Sequence, residues 1–258
     1  MVLVRELSNA TANFLELPSP TVAMYTRRLR EAGLISEKGR GRGAARATPL
    51  DAANLLIALA VNLGPERAAE SVVDFGRLRI ATVDEVQPGE PDATQWGGVR
   101  LQDAYELPSD PTLAESVAAI ISGFADKRFA EKWCAAERSM RRVESTVDRF
   151  DAADCSVAIL VTSLSAVIHL TGNRYYYADE SMRRILRSES MEDKVWAART
   201  RAVGEGLKYR RGISTVRKIP FSVLRKIAAV VNGGEIDLNA LIKTTNHERK
   251  RGSRDANL

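Results

Sequence analysis

Residues 19–35 read SPTVAMYTRRLREAGLI. Pro18-Ser19-Pro20 breaks the chain where this stretch begins. Ser19 is expected as an N-cap and Pro20 at the first helical position, where a missing N–H costs nothing. Val22, Tyr25, Thr26 and Leu29 recur at i, i+3, i+4 and i+7, which lines up one inward helix face. Thr21, Ala23, Met24, Arg27, Arg28 and Arg30 then face outward. Gly33 is placed as the C′ glycine that ends the helix. The expected element is a one-sided helix over 20–32, with small residues at its start and arginines toward its end.

Upstream, residues 2–16 read as one or two short helices, with Val2, Leu3, Val4 and Leu7 as one apolar set. Ala10, Phe14, Leu15 and Leu17 make the next. Downstream, Leu34-Ile35-Ser36 looks extended. EKGRGRGAARAT follows over 37–48, with Gly39, Gly41 and Gly43 alternating with Arg40 and Arg42. Ala45, Arg46 and Ala47 supply a return strand, so a small hairpin with a flexible basic tip is expected. Thr48 then caps a strongly apolar helix, LDAANLLIALAVNL, with Asp51 in its first turn. Gly64-Pro65 stops it.

The order helix, helix, turn, helix, Gly-Leu-Ile, Gly/Arg hairpin, helix resembles the winged helix-turn-helix family of bacterial and phage regulators. Ser19, Thr21, Val22, Leu29, Gly33, Leu34 and Ile35, followed by Gly39 to Thr48, carry the resemblance. It spans about residues 1–63, a quarter of the chain. It implies that helix 20–32 enters the major groove of duplex DNA and that the Gly/Arg loop is the wing. The first helix starts close to Met1. The resemblance therefore calls for a supplementary packing element, from later in the chain or from a partner subunit.

Past Gly64 the expected order is a helix over 65–81 and an acidic Pro/Gly linker over 84–98. Residues 111–140 read as helix again. The period then shifts. VESTVDRF (143–150), CSVAILVTS (155–163), SAVIHLTG (165–172) and YYYA (175–178) read as a small antiparallel β-meander. Basic helices over 179–245 follow, the last being KIPFSVLRKIAAVVN before Gly233-Gly234. The polar tail 246–258 is expected to be disordered. The fold class is thus mainly α with a small antiparallel β-meander. It is divided into a winged helix over 1–63 and an α+β assembly or effector region over 64–258.

Charge is unevenly spread. Residues 1–48 carry 8 basic and 4 acidic side chains, 49–173 carry 11 and 19, and 174–258 carry 19 and 10. Two basic ends flank an acidic middle, and basic ends suit a polyanion whose counterions they displace. The whole chain has 258 residues and net charge +5. Cys134 and Cys155 are too few for a disulfide scaffold or a zinc ribbon, which favours a reducing cytoplasm. No stretch of eighteen apolar residues is present, so no membrane partner is expected.

Enzyme chemistry finds no support in the residues, and neither a cofactor nor a metal is expected. His169, within AVIHL, reads as a hydrogen-bonded core histidine, and His247 lies in the tail. Gly39 to Gly43 lacks the Gly-Lys-Ser/Thr ending of a phosphate loop. There is no Gly-x-Ser-x-Gly elbow. Asp148, Asp151 and Asp154 fit a turn better than a cation site.

The candidate DNA contacts are Ser19, Thr21, Met24, Arg27, Arg28, Arg30, Lys38, Arg40, Arg42 and Arg46. Arg27 or Arg28 suits the bidentate pair with guanine, while the other neutralises phosphate. Ser19 and the helix N-terminus donate to phosphate. Arg40 and Arg42 suit a narrow minor groove, with Lys38 and Arg46 on the backbone. A weaker second basic site runs through Arg183, Arg184, Arg187, Arg199, Arg201, Lys208, Arg210, Arg211, Arg217, Lys218, Arg225 and Lys226. Tyr175, Tyr176, Tyr177, Trp196 and Tyr209 lie among them, a mix that stacks on single strands or serves dimerisation and protein partners. The expected function is sequence-specific transcription regulation by a homodimer on double-stranded DNA. Two other uses fit the same residues. One is a plasmid or phage replication initiator or packaging protein, and the other is a protein-interaction adaptor without DNA binding.

Overall fold

A computed structural model describes residues 2–37, 45–84, 107–124, 156–161, 164–170, 173–187 and 216–233. Among these residues there are seven α-helices, one 3-10 turn and a five-stranded antiparallel sheet.

Helix α1 spans Val4–Phe14. Glu6 reaches back to the Leu3 N–H (2.8 Å), so an otherwise unsatisfied donor of the first turn is bonded. Glu16 then takes a left-handed backbone (φ 53), and the Leu17 N–H closes the turn on the Ala12 carbonyl (2.9 Å). Helix α2 spans Ser19–Glu31. It starts one residue earlier than expected. Pro18 is the N-cap and Ser19 is already helical, because the Pro18 carbonyl accepts from both Thr21 and Val22. Ser19 therefore does not cap through its side chain. Gly33 does adopt the left-handed C′ conformation (φ 70), with Leu34 N–H returning to the Leu29 carbonyl.

Helix α3, Pro49–Val61, begins with a reciprocal cap between Thr48 and Asp51. Almost every residue of α3 is buried, including Leu55, Leu56 and Ile57. A helix apolar on all sides belongs in the middle of a core. Accordingly α3 packs against α2 on one side. On others it meets α4 (Ala68–Gly76), α5 (Leu113–Gly123), α7 (Phe221–Asn232) and the sheet.

The sheet order is β1-β4-β3-β2-β5, all neighbours antiparallel. Strands β2 (Ser156–Leu160), β3 (Ser165–Leu170) and β4 (Asn173–Ala178) form the expected meander. Its inner rows are Ile219–Val157–Ile168–Tyr175 and Ile159–Ala166–Tyr177, and all of these side chains are buried. Two edge strands were not expected. β1 (Arg79–Asp84) replaces the end of the helix foreseen over 65–81. α4 stops at Gly76, and the β-branched run Ile80, Thr82, Val83 pairs with the tyrosines of β4. β5 (Val216–Pro220) occupies the start of the helix foreseen over KIPFSVLRK. Pro220 bars Ile219 from helical backbone, so α7 begins after it. Helix α6, Glu180–Arg187, lies against β1 and β4.

The foreseen hairpin between 34–36 and 45–47 is also corrected. The returning arm pairs with the segment before α1: Leu3 bridges Arg46, Val4 N–H donates to Ala45 O, and Ala47 N–H donates to Val2 O. Residues 34–36 cannot supply that ladder because α3 takes their polar groups. Asn54 donates to the Leu34 carbonyl (2.7 Å) and Asp51 accepts from the Ser36 N–H (2.8 Å).

A later helix of the chain covers α1. α7 packs on α1, with Lys226 Nζ 5.6 Å from the Phe14 ring centroid. α7 is tied in turn to α5 by Asn232, which donates to the Ile121 carbonyl, and by an edge-to-face contact of Phe124 with Phe221. One apolar core runs from Val4 to Val231 without a break at residue 63. The remaining expected elements lie outside the described residues. They are the strand over 143–150, residues 125–140 of the long helix, residues 188–215 and 234–245 of the basic helices, the linker past residue 84 and the tail over 246–258.

Candidate nucleic-acid interface

The inward face of α2 is Val22, Tyr25, Thr26 and Leu29, all buried, as the spacing predicts. Thr26 Oγ1 sits 3.2 Å from Ser8 Oγ of α1 and also returns to the Val22 carbonyl. The Tyr25 hydroxyl donates to Asn62 and accepts from the Gly64 N–H (3.1 Å). Burial raises the Tyr25 phenol above its ordinary value, and the Gly64 N–H pulls the other way. α2 is thus fixed on α1 at one flank and on the end of α3 at another.

The outward face is open. Ser19, Pro20, Thr21, Ala23 and Met24 are exposed along the first half. They are short or unbranched and, for Met24, 48% exposed, so nothing bulky stands between this half of the helix and an incoming surface. The first turn of α2 carries no acid, and the positive end of the helix dipole is left to face an anion.

Arg27, Arg28 and Arg30 occupy the second half, all exposed, and each is engaged. Glu31 takes Arg27 Nε on Oε1 (2.7 Å) and Arg28 Nη1 on Oε2 (3.1 Å). Arg30 Nη2 lies 3.5 Å from Glu37 Oε1. Arg27, then Arg28, hold the Glu31 carboxyl below its usual range. The pairing partners Glu31 and Glu37 were missed in the sequence. The i,i+4 and i,i+3 spacing from Arg27 and Arg28 to Glu31 was the available signal. Exposed pairs of this kind are weak, so the arginines can leave them for another anion.

The Gly/Arg loop springs from a bonded base. Its leading arm is held by Asp51 and Asn54, and the Arg30–Glu37 contact sets that arm beside the last turn of α2. Its returning arm carries exposed Arg46. Lys38, Arg40 and Arg42 lie outside the described residues.

Of the second basic site, three members are buried in the body: Arg183, Tyr175 and Tyr177. Arg183 is buried (6% exposed side chain) and spans three acceptors: Asp110 Oδ1 (2.7 Å), Glu180 Oε2 (2.9 Å) and the Ile80 carbonyl (3.0 Å). It joins the segment before α5 to the sheet edge. Tyr175 and Tyr177 are core residues. Burial pushes the Tyr177 phenol far above its ordinary value, against the smaller opposing effect of the Ser116 hydroxyl. Arg184, Arg217 and Lys218 are exposed. Arg199, Arg201, Lys208, Arg210, Arg211, Trp196 and Tyr209 lie outside the described residues, and nothing is described of the Arg187 side chain.

His169 is not a core residue. Strand alternation turns Ala166, Ile168 and Leu170 inward and leaves His169 half-buried on the other face, level with Ser156 and Arg174. Among the described residues, no group of three His, Cys, Asp or Glu is placed to hold a metal ion. No helix among them is long and apolar enough to cross a membrane. No family model matches the chain, and no curated protein or solved structure gives a match.

Proposed function

We propose that residues 1–63 are a winged helix-turn-helix and that the chain binds duplex DNA sequence-specifically through α2. On this reading it is a cytoplasmic transcription regulator of bacterial or prophage type. The observation that carries the reading is the asymmetry of α2. Every inward side chain is committed to the body, while small residues and then three arginines line the outward face. That is the profile of a helix held rigidly with its working side free. A rigid reading helix loses less conformational entropy on binding.

In the mechanism, the N-terminal half of α2 approaches base edges, since Thr21, Ala23 and Met24 offer no bulk that would hold the backbone off. Arg27 or Arg28 presents its paired N–H groups to guanine O6 and N7. Arg30 and Arg46 neutralise phosphates beside it. Lys38, Arg40 and Arg42 extend the contact along the backbone and into the minor groove. A dimer places two copies of α2 in successive major grooves, one helical turn apart.

The test is affinity selection from sheared genomic DNA by the purified chain at about 0.15 M salt. The Arg27→Ala/Arg28→Ala variant is run beside it. A few paired promoter sites, lost in the variant, are expected. Losing one base-reading arginine costs about 1–3 kcal/mol, roughly tenfold to hundredfold in affinity. Enrichment of one repeat cluster would move the reading to replication or packaging. Uniform weak recovery, equal in both proteins, would remove DNA reading from α2 and favour a protein-interaction adaptor.

A further inference from the structure

We infer that Glu31 is the specificity-determining positioning residue of α2: it holds Arg27 and Arg28 in a preset pair and penalises DNA that offers them only phosphate. This rests on the reading of α2 as the DNA-contacting helix.

One carboxylate serves two guanidinium groups, one oxygen each. The bond to Arg27 uses the Nε edge, and among the described residues its terminal Nη1/Nη2 edge makes no hydrogen bond. That end-on edge is the one that matches the O6/N7 acceptor pair of guanine. Glu31 therefore occupies the side of Arg27 that base reading does not need. It also removes rotamer freedom that an exposed arginine (77% for Arg27) would otherwise lose on binding. Arg28 is held through Nη1, and among the described residues its Nε and Nη2 donors stay available for the adjacent strand.

The same carboxylate acts differently on non-cognate duplex. There the arginines gain only by swinging to phosphates, which breaks both bonds to Glu31. The unneutralised carboxylate is then left beside the polyanion. Cognate sites keep the clasp, while non-cognate sites must open it. Discrimination is a difference between two affinities, and a repulsive element aimed at the wrong partner widens it. Glu37 acts on Arg30 in the same sense from a longer 3.5 Å.

The experiment compares wild type with Glu31→Ala, Glu31→Gln and, as a control of net charge outside α2 itself and off its arginine face, Glu66→Gln. Duplex affinities are measured on the selected site and on a scrambled site across a salt series. Glu31 is exposed, and circular dichroism verifies that each variant folds. Glu31→Ala is expected to tighten scrambled-site binding about threefold to tenfold and to steepen its salt dependence by about one ion. Selected-site binding is expected to stay level or weaken, so the specificity ratio falls about tenfold. Glu31→Gln, which still accepts from Arg27, is expected to keep more selected-site affinity than Glu31→Ala. Glu66→Gln is expected to leave the ratio unchanged. In the free protein, the Arg27 Nε–H resonance should be protected from exchange in wild type and not in Glu31→Ala. An equal gain on both sites would reduce Glu31 to bulk charge and overturn the inference while leaving DNA reading intact. A wild type without any preferred site would overturn both.

Discussion

The Tyr25 hydroxyl donates to Oδ1 of Asn62 across 3.2 Å, which pins the middle of α2 to the residue that ends α3. Asn62 sits in a left-handed conformation (φ 51), and the Gly64 N–H donates to the same hydroxyl. Tyr25→Phe keeps the ring in its buried site and deletes both bonds. It is expected to lower stability by about 1–3 kcal/mol, the cost of leaving buried polar groups unmatched. Urea unfolding should show a lower midpoint at unchanged slope.

Alkaline pH should destabilise the fold through Tyr25 and Tyr177. Burial raises both phenols above the ordinary tyrosine value. Unfolded tyrosines begin to ionise near pH 10, before the folded ones do. The contribution of these groups is therefore complete below about pH 10 and is lost as pH climbs toward the folded values. Urea midpoints taken between pH 8 and 11 should fall at the alkaline end. Tyr177→Phe should flatten that fall more than Tyr25→Phe, because the Tyr177 phenol is the more strongly raised.

Asp51 should matter more than the residue it caps with. Its carboxylate accepts from the Thr48 N–H and the Ser36 N–H, both at 2.8 Å. Thr48→Ala removes one capping acceptor, for about 1 kcal/mol. Asp51→Ala strands two backbone donors and frees the leading arm of the Gly/Arg loop, for about 2–3 kcal/mol. Thermal unfolding of the two variants gives the order, and equal losses would refute it.

Arg183 and Arg184 are neighbours with opposite expectations. Arg183→Ala leaves Asp110, Glu180 and the Ile80 carbonyl without their shared donor and should cost about 2–4 kcal/mol. Its partners are half-exposed, which holds the loss toward the lower end of that range. Arg184 has an 80% exposed side chain and a 3.6 Å ion pair, so Arg184→Ala should change stability by less than about 0.5 kcal/mol. Denaturant titration of both separates a buried cross-link from a solvated charge.

The periodic elements were readable in the sequence because each is governed by nearby residues. The α2 face, the Gly33 terminus, the Thr48–Asp51 cap and the strands β2 to β4 all follow from spacing and capping chemistry within a few positions. What could not be read depends on distant partners. β1 and β5 are strands because β4 and β2 offer open edges to them; the β-branched residues of RIATVD and Pro220 at the end of VRKIP allow extended backbone but do not name the partner strand. The same holds for the returning arm, whose partner is the chain before α1. Arg183 looked like surface charge because its three acceptors come from three separate segments. At the candidate interface the arginines were legible. Of their acidic partners, Glu31 stands at helical spacing from Arg27 and Arg28, whereas Glu37 reaches Arg30 only through the turn after Gly33.

The packing of α7 on α1 sets an order of events during synthesis. α1 and α2 leave the ribosome early, but the helix that covers the Phe14 side of α1 is among the last described segments to be made. Until then the Phe14 flank of α1 has no permanent cover, whereas α3 already has α2, α4 and α5 around it. Non-local closure of this kind slows folding and exposes sticky surface to chaperones and proteases. A nascent chain stalled before α7 would hold α2 against α1 while the Phe14 side of α1 is still bare. The seating of α1, and of α2 through the Thr26–Ser8 contact, is therefore finished only after Phe221–Asn232 has been made.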